Sequence, residues 1–367
     1  MPNPTKRIGI FTGGGDCPGL NAVIRAVAKT AIFDHGIEAY GIEDGLQGLI
    51  ENRIRPLSTE DVSNILNTGG TILGTSNKAN PSRYCTGHGE NGEPVFADVT
   101  ELCVDHARAH GLDALVAIGG DGTMSACKGL VEKGLRIVGV PKTIDNDLWG
   151  SDLTFGFLTA VATATDALDR LHTTAASHHR VMVAEVMGRN AGWIALHAGV
   201  ASGSDVILIP EIPFDITSIC DAVIARSRRG KRYSILAVAE GAKPIGGEIT
   251  ARRLDPTSPD PVKLGGIAEL LGAEIESQTK LETRVAVLGH VQRGGPPNAA
   301  DRVLATQFGH HAMNLVAAGE SSRVVVMQNS RITDIPIEDV IDKQRTIPPD
   351  HLLLSAARAV ATSFGEP

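Results

Sequence analysis

Short apolar runs rich in β-branched residues recur along the chain, each followed by a turn and then by a helical pattern. RIGIFT (7–12) leads through TGGGDCPGLN into LNAVIRAVAKTAI; ALVAIGG (114–120) precedes DGTMSACKGLVEKG; RIVGV (136–140) precedes PKTIDND. Later runs are RVMVAEVMG (180–188), DVILIPE (205–211), YSILAVAEGA (233–242) and RVAVLGHVQRGG (284–295). Runs that are apolar throughout, rather than alternating, predict strands buried on both faces. Their interleaving with helical stretches of about 10–15 residues predicts parallel sheets covered by helices. In such sheets ligands bind at the carboxyl ends of the strands, where these glycine turns fall. The segment KANPSRYCTGHGENGEPVFAD (78–98) is polar and punctuated by Gly and Pro, and is expected as an irregular surface insertion.

Composition narrows the class. A chain of 367 residues has room for two compact domains, and 42% hydrophobic with 21% charged residues is the balance of a soluble globular protein. The net charge of −8 weighs against a nucleic-acid surface and supplies no polybasic membrane patch. No apolar stretch approaches the roughly 20 residues of a membrane span, and MPNPTKRIGIF enters a strand without a secretory leader. Cys17, Cys85, Cys103, Cys127 and Cys220 are scattered with no CxxC pair, as expected of reduced thiols in a cytoplasmic protein. Abundant Gly (41) with few aromatics (4%) suits an α/β enzyme with tight strand-to-helix turns.

Three stretches carry candidate chemistry. In TGGGDCPGLN, Gly13, Gly14 and Gly15 let backbone N–H groups approach an anion at a helix N-terminus, although many such turns are glycine-rich for packing alone. No GxxxxGK[ST] loop exists in the chain. In IGGDGT (118–123), Asp121 stands at a strand's carboxyl end, where a Mg²⁺ carrying phosphates would sit. Phosphotransferases with unrelated acceptors, NAD kinases and diacylglycerol kinases among them, share this motif, so it indicates a phosphate donor and leaves the acceptor open. PKTIDND crowds Lys142, Thr143, Asp145 and Asp147 together. A phosphoryl acceptor hydroxyl benefits from a carboxylate that takes its proton, while a second helps to hold a metal. In an extended segment, residues two apart point the same way. Arg180, Arg284, His290 and Arg293, beside predicted strand ends, would suit the phosphate of a sugar phosphate. His106 and His110 have the spacing of ligands on a zinc helix but no third partner nearby; with His178–His179 and His310–His311 they are read as structural.

In order along the chain, TGGGDCPGLN, GGTILGT, GGDGT, PKTIDND, ASHHR, EVMGRNAGWIAL, AEG and TRVAVLGHVQRGG resemble the 6-phosphofructokinase family nearly end to end. That resemblance implies two doubly wound, Rossmann-like three-layer α/β domains with the active site in the cleft between them. The phosphate-donor domain would take 1–157 and approximately 292–342, the fructose 6-phosphate domain 158–291 and approximately 343–367. It implies a cytoplasmic glycolytic kinase that phosphorylates the 1-hydroxyl of fructose 6-phosphate, assembled as a homo-oligomer, a tetramer or a dimer. By position, Asp145 matches the general base, Thr143 the residue touching the transferred phosphoryl, and Asp121 and Asp147 the carboxylates associated with Mg²⁺. Met187, Gly188 and Arg189 match the segment lining the sugar, and Glu240 the carboxylate on a sugar hydroxyl. His290 and Arg293 match ligands of the 6-phosphate, with Arg180 and Arg284 reaching in from a neighbouring subunit. The donor phosphates are expected on Gly15, Gly120, Asp121, Gly122, Thr123 and Lys142.

Lys142 stands where short bacterial ATP enzymes carry Gly and is usual in pyrophosphate-dependent members, though a long-chain ATP-using group has it too. Gly122 points to ATP, because pyrophosphate users generally place there an Asp that would repel the α-phosphate. Asn77 replaces the arginine that short members have after GGTxLG, leaving Lys78 or Arg83 to supply the charge. The short enzymes' effector arginines survive only as Arg25, with Lys29, Thr59 and His172 at the other positions. A catalytically silent sugar-phosphate-binding subunit is the rival from another class; the set Asp121, Asp145, Asp147 and Arg189 speaks against it, since a binding protein needs no base.

Overall fold

Every apolar run forms a strand in the computed structural model, which describes residues 5–89, 91–254 and 262–367. In chain order the elements are β1 (Arg7–Thr12), α1 (Leu20–His35), β2 (Glu38–Ile42), α2 (Leu46–Ile50), β3 (Ile54–Leu57), β4 (Tyr84–His88), β5 (Pro94–Ala97), α3 (Thr100–Ala109), β6 (Ala114–Gly119), α4 (Asp121–Glu132) and β7 (Ile137–Pro141). There follow α5 (Phe157–His178), β8 (Val181–Val186), α6 (Trp193–Ser202), β9 (Val206–Leu208), α7 (Ile216–Arg228), β10 (Ser234–Ala239), β11 (Ala251–Leu254), β12 (Val262–Leu264), α8 (Ile267–Thr279) and β13 (Thr283–Val287). The chain ends with α9 (Ala299–Ala317), β14 (Arg323–Gln328), β15 (Arg331–Pro336) and α10 (Leu352–Ala359).

Two sheets organise the molecule. The first has the order β15-β14-β7-β6-β1-β2-β3, parallel from β14 to β2 and closed by an antiparallel strand at each edge. The second, β13-β8-β10-β9, is parallel throughout. Successive side chains of a strand point to opposite faces, and each face here has its own apolar layer. Ile8, Ile10, Val116, Ile118, Val138 and Val140 face α1 and α9, whereas Phe11, Leu115, Ala117 and Ile137 face α3 and α4. On β8, Met182, Ala184 and Val186 pack with α5 and α6, while Val181 and Val183 pack with α7 and α8. The layer beneath α1 and α9 is continuous with the one beneath α5 and α6, so the two sheets share a core. Glycine delimits α1 as the sequence suggests: it starts after Gly19 (φ 109°) and closes at Gly36 (φ 65°), a left-handed cap that costs a glycine little.

The expectation of an irregular insertion at 78–98 is corrected. Tyr84–His88 pairs antiparallel with Pro94–Ala97, and the N–H of Gly92 donates to Gly89 O at 2.9 Å in the turn; Glu90 lies outside the described residues. A register shift between Cys85 and Gly87 breaks the period-2 signal, which is why the hairpin reads as loop. Arg83 places its guanidinium 4.0 Å from the centre of the Phe96 ring.

Candidate active site

The turn after β7 is held from several directions. Asn146 adopts the left-handed conformation (φ 52°), which Asn tolerates better than most residues. Its Oδ1 accepts the N–H of Thr154 at 2.9 Å, and Thr154 Oγ1 donates to Thr143 O at 2.7 Å. From near the C-terminus, Arg345 donates its backbone N–H to Asp147 O at 2.7 Å and Nη1 to Asn146 O at 3.0 Å. Within the turn, Thr143 Oγ1 accepts the N–H of Asp145 and donates to Asp147 Oδ1, both at 3.1 Å.

This turn concentrates negative charge. Burial pushes the Asp145 carboxyl above the usual range even though Arg293 and Lys142 act the other way. Its Oδ1 is buried with no hydrogen-bond partner. Burial, then the like charges of Asp145 and Asp121, push Asp147 up to about 7. Glu240, at the carboxyl end of β10, is likewise raised to about 7, first by burial and then by Asp145 and Glu185, against the pull of Arg293 and Arg189. Carboxylates from both sheets thus share one electrostatic neighbourhood. Like charges confined together hold some of their number protonated near neutrality until a cation joins them.

On the donor side, two glycines are used for packing. A Cβ on Gly13 or Gly119 would lie 2.7 or 2.3 Å from the Thr123 side chain, so the loop after β1 and the first turn of α4 interlock. The N–H groups of Gly13 and Gly14 donate to Ile118 O (2.9 Å) and Ser76 O (3.1 Å), which corrects their reading as anion ligands. Asp121 begins α4, with Gly120 at its N-cap, and an added Cβ on Gly122 would meet nothing within 4 Å. Lys142 is buried, donates Nζ to Gly15 O, and has its ammonium pKa pulled down chiefly by that burial.

On the facing side, β8 leads into Met187, Gly188 (φ 138°) and Arg189. A Cβ on Gly241 would lie 1.9 Å from Arg189 O, so only glycine can follow Glu240 at this approach. Gln292, fully buried, accepts the Met187 N–H at 3.4 Å and donates to Gly289 O at 3.1 Å, tying the 187–189 segment to the turn that carries His290 and Arg293. His290 is exposed, while Arg293 crosses the cleft: its Nη1 donates to Asp16 O at 3.1 Å, and a Cβ on Gly15 would sit 2.7 Å from that nitrogen.

Arg180 and Arg284, which the resemblance assigns to a neighbouring subunit's site, lie away from this chain's own cleft. Arg180 and Arg284 stand at the amino ends of β8 and β13, and Glu282 pairs with both, at 2.8 Å to Arg180 Nε. A strand of six residues separates Arg180 from the cleft, about 20 Å, so one chain does not bring the two arginines to Glu240. The paired histidines take structural roles: His106 Nδ1 lies 2.9 Å from Leu49 O, His110 Nε2 2.9 Å from Asn52 Oδ1, and His311 Nε2 3.2 Å from Asp334 Oδ1. Burial pushes the Cys17, Cys103 and Cys127 thiols up to about 12, so they are poor nucleophiles. Asn146 and Gln292 lie inside the recognised motifs, but their residue types do not mark them as holding these turns, and nothing in the sequence marks Arg345.

A family model described as phosphofructokinase matches residues 7–316, which include both walls of this cleft. The chain belongs to the phosphofructokinase family. It is 48% identical over 367 residues to the ATP-dependent 6-phosphofructokinase 2 of Clostridium perfringens, covering 100% of both chains. It is also 48% identical over 345 residues to the pyrophosphate–fructose 6-phosphate 1-phosphotransferase of Amycolatopsis methanolica, covering 94% of this chain and 97% of the relative. Among solved structures, the T-state phosphofructokinase of Pichia pastoris superposes with a TM-score of 0.77 at 30% identity, over 98% of this chain and 37% of the longer yeast chain. The two sheets with a cleft between them are therefore the phosphofructokinase fold. Relatives named for either donor match at 48% identity, the ATP-named one over the whole of both chains and the pyrophosphate-named one over 94% of this chain.

Proposed function

We propose that the protein is an ATP-dependent 6-phosphofructokinase, transferring the γ-phosphoryl group of ATP to the 1-hydroxyl of fructose 6-phosphate. The observation that carries the reading is the buried, unpartnered Oδ1 of Asp145 among cations and carboxylates drawn from both walls of one cleft. An orphaned carboxylate oxygen is costly in a merely structural site. It is useful where a sugar hydroxyl must give up its proton as the phosphoryl arrives. Asp145 would take that proton, Arg189 would stabilise the charge moving onto the transferred group, and Thr143, once released from Asp147, would touch it. Met187, Gly188 and Glu240 would orient the sugar, and His290 and Arg293 would bind its 6-phosphate. Gly15, Gly120, Gly122, Thr123 and Lys142 would border the donor. The alternative keeps this chemistry and takes pyrophosphate as donor; Lys142 favours it, and the open space at Gly122 favours ATP.

The crowding that lifts Asp147 to about 7 fits a divalent cation. Asp121, with Asp147 beside it, would hold Mg²⁺, which would neutralise charge on the donor phosphates when bound. The sign of the pH dependence follows. Protonated carboxyls can neither accept the hydroxyl proton nor hold a cation, so kcat should fall as pH drops through about 7. Bound cation favours the ionised forms, so rising Mg²⁺ should move this acid limb to lower pH. An acid limb that ignores Mg²⁺ in pH–rate profiles would detach these carboxylates from the metal.

Arg293→Ala should raise KM for fructose 6-phosphate far more than KM for the donor, since a charge-assisted hydrogen bond is worth roughly 1.5–3 kcal/mol. Steady-state kinetics with each substrate varied decide it; a change confined to the donor would reverse the two sides of the cleft. We further propose that the donor domain comprises 1–157 with approximately 292–342, and the sugar domain 158–291 with approximately 343–367. The position of Arg180 and Arg284 supports a homotetramer, or a dimer, in which they complete a neighbour's sugar site. Among the described residues no helix is long and apolar enough to cross a membrane, and a cytoplasmic location is proposed with the glycolytic role. A coupled assay with fructose 6-phosphate, run once with ATP and once with pyrophosphate, tests the whole reading.

A further inference from the structure

Arg345 lies beyond the residues that match the family model, yet it is bound into the turn that carries Asp145. Its backbone N–H and its Nη1 donate to the carbonyls of Asp147 and Asn146. The guanidinium carbon sits 4.0 Å from the centre of the Trp193 ring, and the Arg345 carbonyl accepts the indole N–H of Trp193 at 3.0 Å. Trp193 is fully buried at the start of α6, four residues after Arg189. The segment is fastened again nearby: Glu211 Oε1 accepts the N–H of Ile347 (3.0 Å) and that of Gly192 (3.1 Å), and Leu148 bridges to Gln344.

A half-buried guanidinium given to a backbone carbonyl and an indole face is expensive if it only fills space, because a charge prefers water or a carboxylate. Its planar fork, stacked on a ring while donating in-plane, is a geometry that lysine cannot copy. The groups it joins are informative. One end holds the left-handed turn between Asp145 and Asp147, and the other the helix that follows the Met187–Arg189 segment.

We propose that Arg345 is a positioning residue that clamps the Asp145-bearing turn to the sugar-lining segment through Trp193, so that seating of the sugar phosphate and the aim of Asp145 are coupled. The inference rests on the phosphotransfer reading above. A misaimed base about 1 Å out of place can cost ~10²-fold in rate.

The test uses the full chain in a Trp149→Phe background, which leaves Trp193 as its single tryptophan. There Arg345→Lys should lower kcat between ~10-fold and ~10²-fold while KM for ATP changes by less than ~2-fold, as expected when positioning rather than donor binding is lost. The Trp193 emission change produced by fructose 6-phosphate should be lost with it. Trp193→Phe, which keeps an aromatic ring and removes the indole N–H, should act in the same direction, and the double variant should lose little more than the worse single one. Should Arg345→Lys fail to fold, Trp193→Phe, which has no indole emission to follow, carries the test through kcat and KM for ATP. Full kcat in the variants with only a lower melting temperature would make the contact structural and sink the clamp, as would losses that simply multiply. A parent protein inactive on fructose 6-phosphate with either donor would sink the functional reading instead.

Discussion

Asp145→Asn should lower kcat by at least ~10²-fold, the usual contribution of a general base, with KM for fructose 6-phosphate little changed. The amide keeps the size of the carboxyl but cannot take a proton. The turn should survive, because its fastening uses the Asp145 N–H, given to Thr143 Oγ1, and not the carboxylate. Removing one of several crowded carboxylates should also relieve Asp147, so the fold is expected to be no less stable. Steady-state kinetics with a thermal melt on the same sample separate the two effects. An unchanged kcat would remove Asp145 from the proton-accepting role.

Gly122→Asp addresses the donor. The added side chain enters open space at the start of α4, an exposed position where an acidic residue suits the helix dipole, so the variant should fold. The new carboxylate would stand beside the expected α-phosphate of a nucleotide, and like charges brought together there cost several kcal/mol. We expect kcat/KM with ATP to fall at least ~10-fold, with a smaller loss for pyrophosphate, which has no nucleoside to accommodate. The unsubstituted protein should use ATP well and pyrophosphate poorly. Strong turnover with pyrophosphate and none with ATP would overturn the donor assignment and mean that Lys142, buried against Gly15, outweighs the open position at 122.

Most interior strands are legible in the sequence because they are apolar on both faces, although RVVVMQ, the interior β14, is not among the runs read as strands. RIGIFT, ALVAIG and VMVAEV admit few other readings once helices flank them. The strands that escaped notice lie mostly towards sheet edges: β2, β3 and β15 are partly polar, and β4 and β5 are interrupted by a bulge. At the site, residues whose chemistry is unusual for their setting, such as the PKTIDND carboxylates, announce themselves. Residues that act through the backbone do not. Thr154 and Arg345 hold the turn by bonds to main-chain groups up to 199 positions away, and neither spacing nor residue type gives such a bond a local mark. The glycine-rich loop misled in the opposite way, since its first two N–H groups are spent on the carbonyls of Ile118 in β6 and of Ser76.

The pairing of β7 bears on how the protein must be made. In the finished molecule β7 is enclosed between β6 and β14, and all of IVGVP is buried. Its neighbour β14 arrives only after the whole second sheet has been synthesised, roughly 180 residues and about 9–36 s later at ordinary translation rates. Until then β7 is an apolar edge with unpaired N–H and C=O groups, the kind of strand that recruits other chains. A nascent or truncated chain that stops before residue 323 carries that sticky edge outward. Order of synthesis therefore sets the interval in which the polypeptide most needs a chaperone.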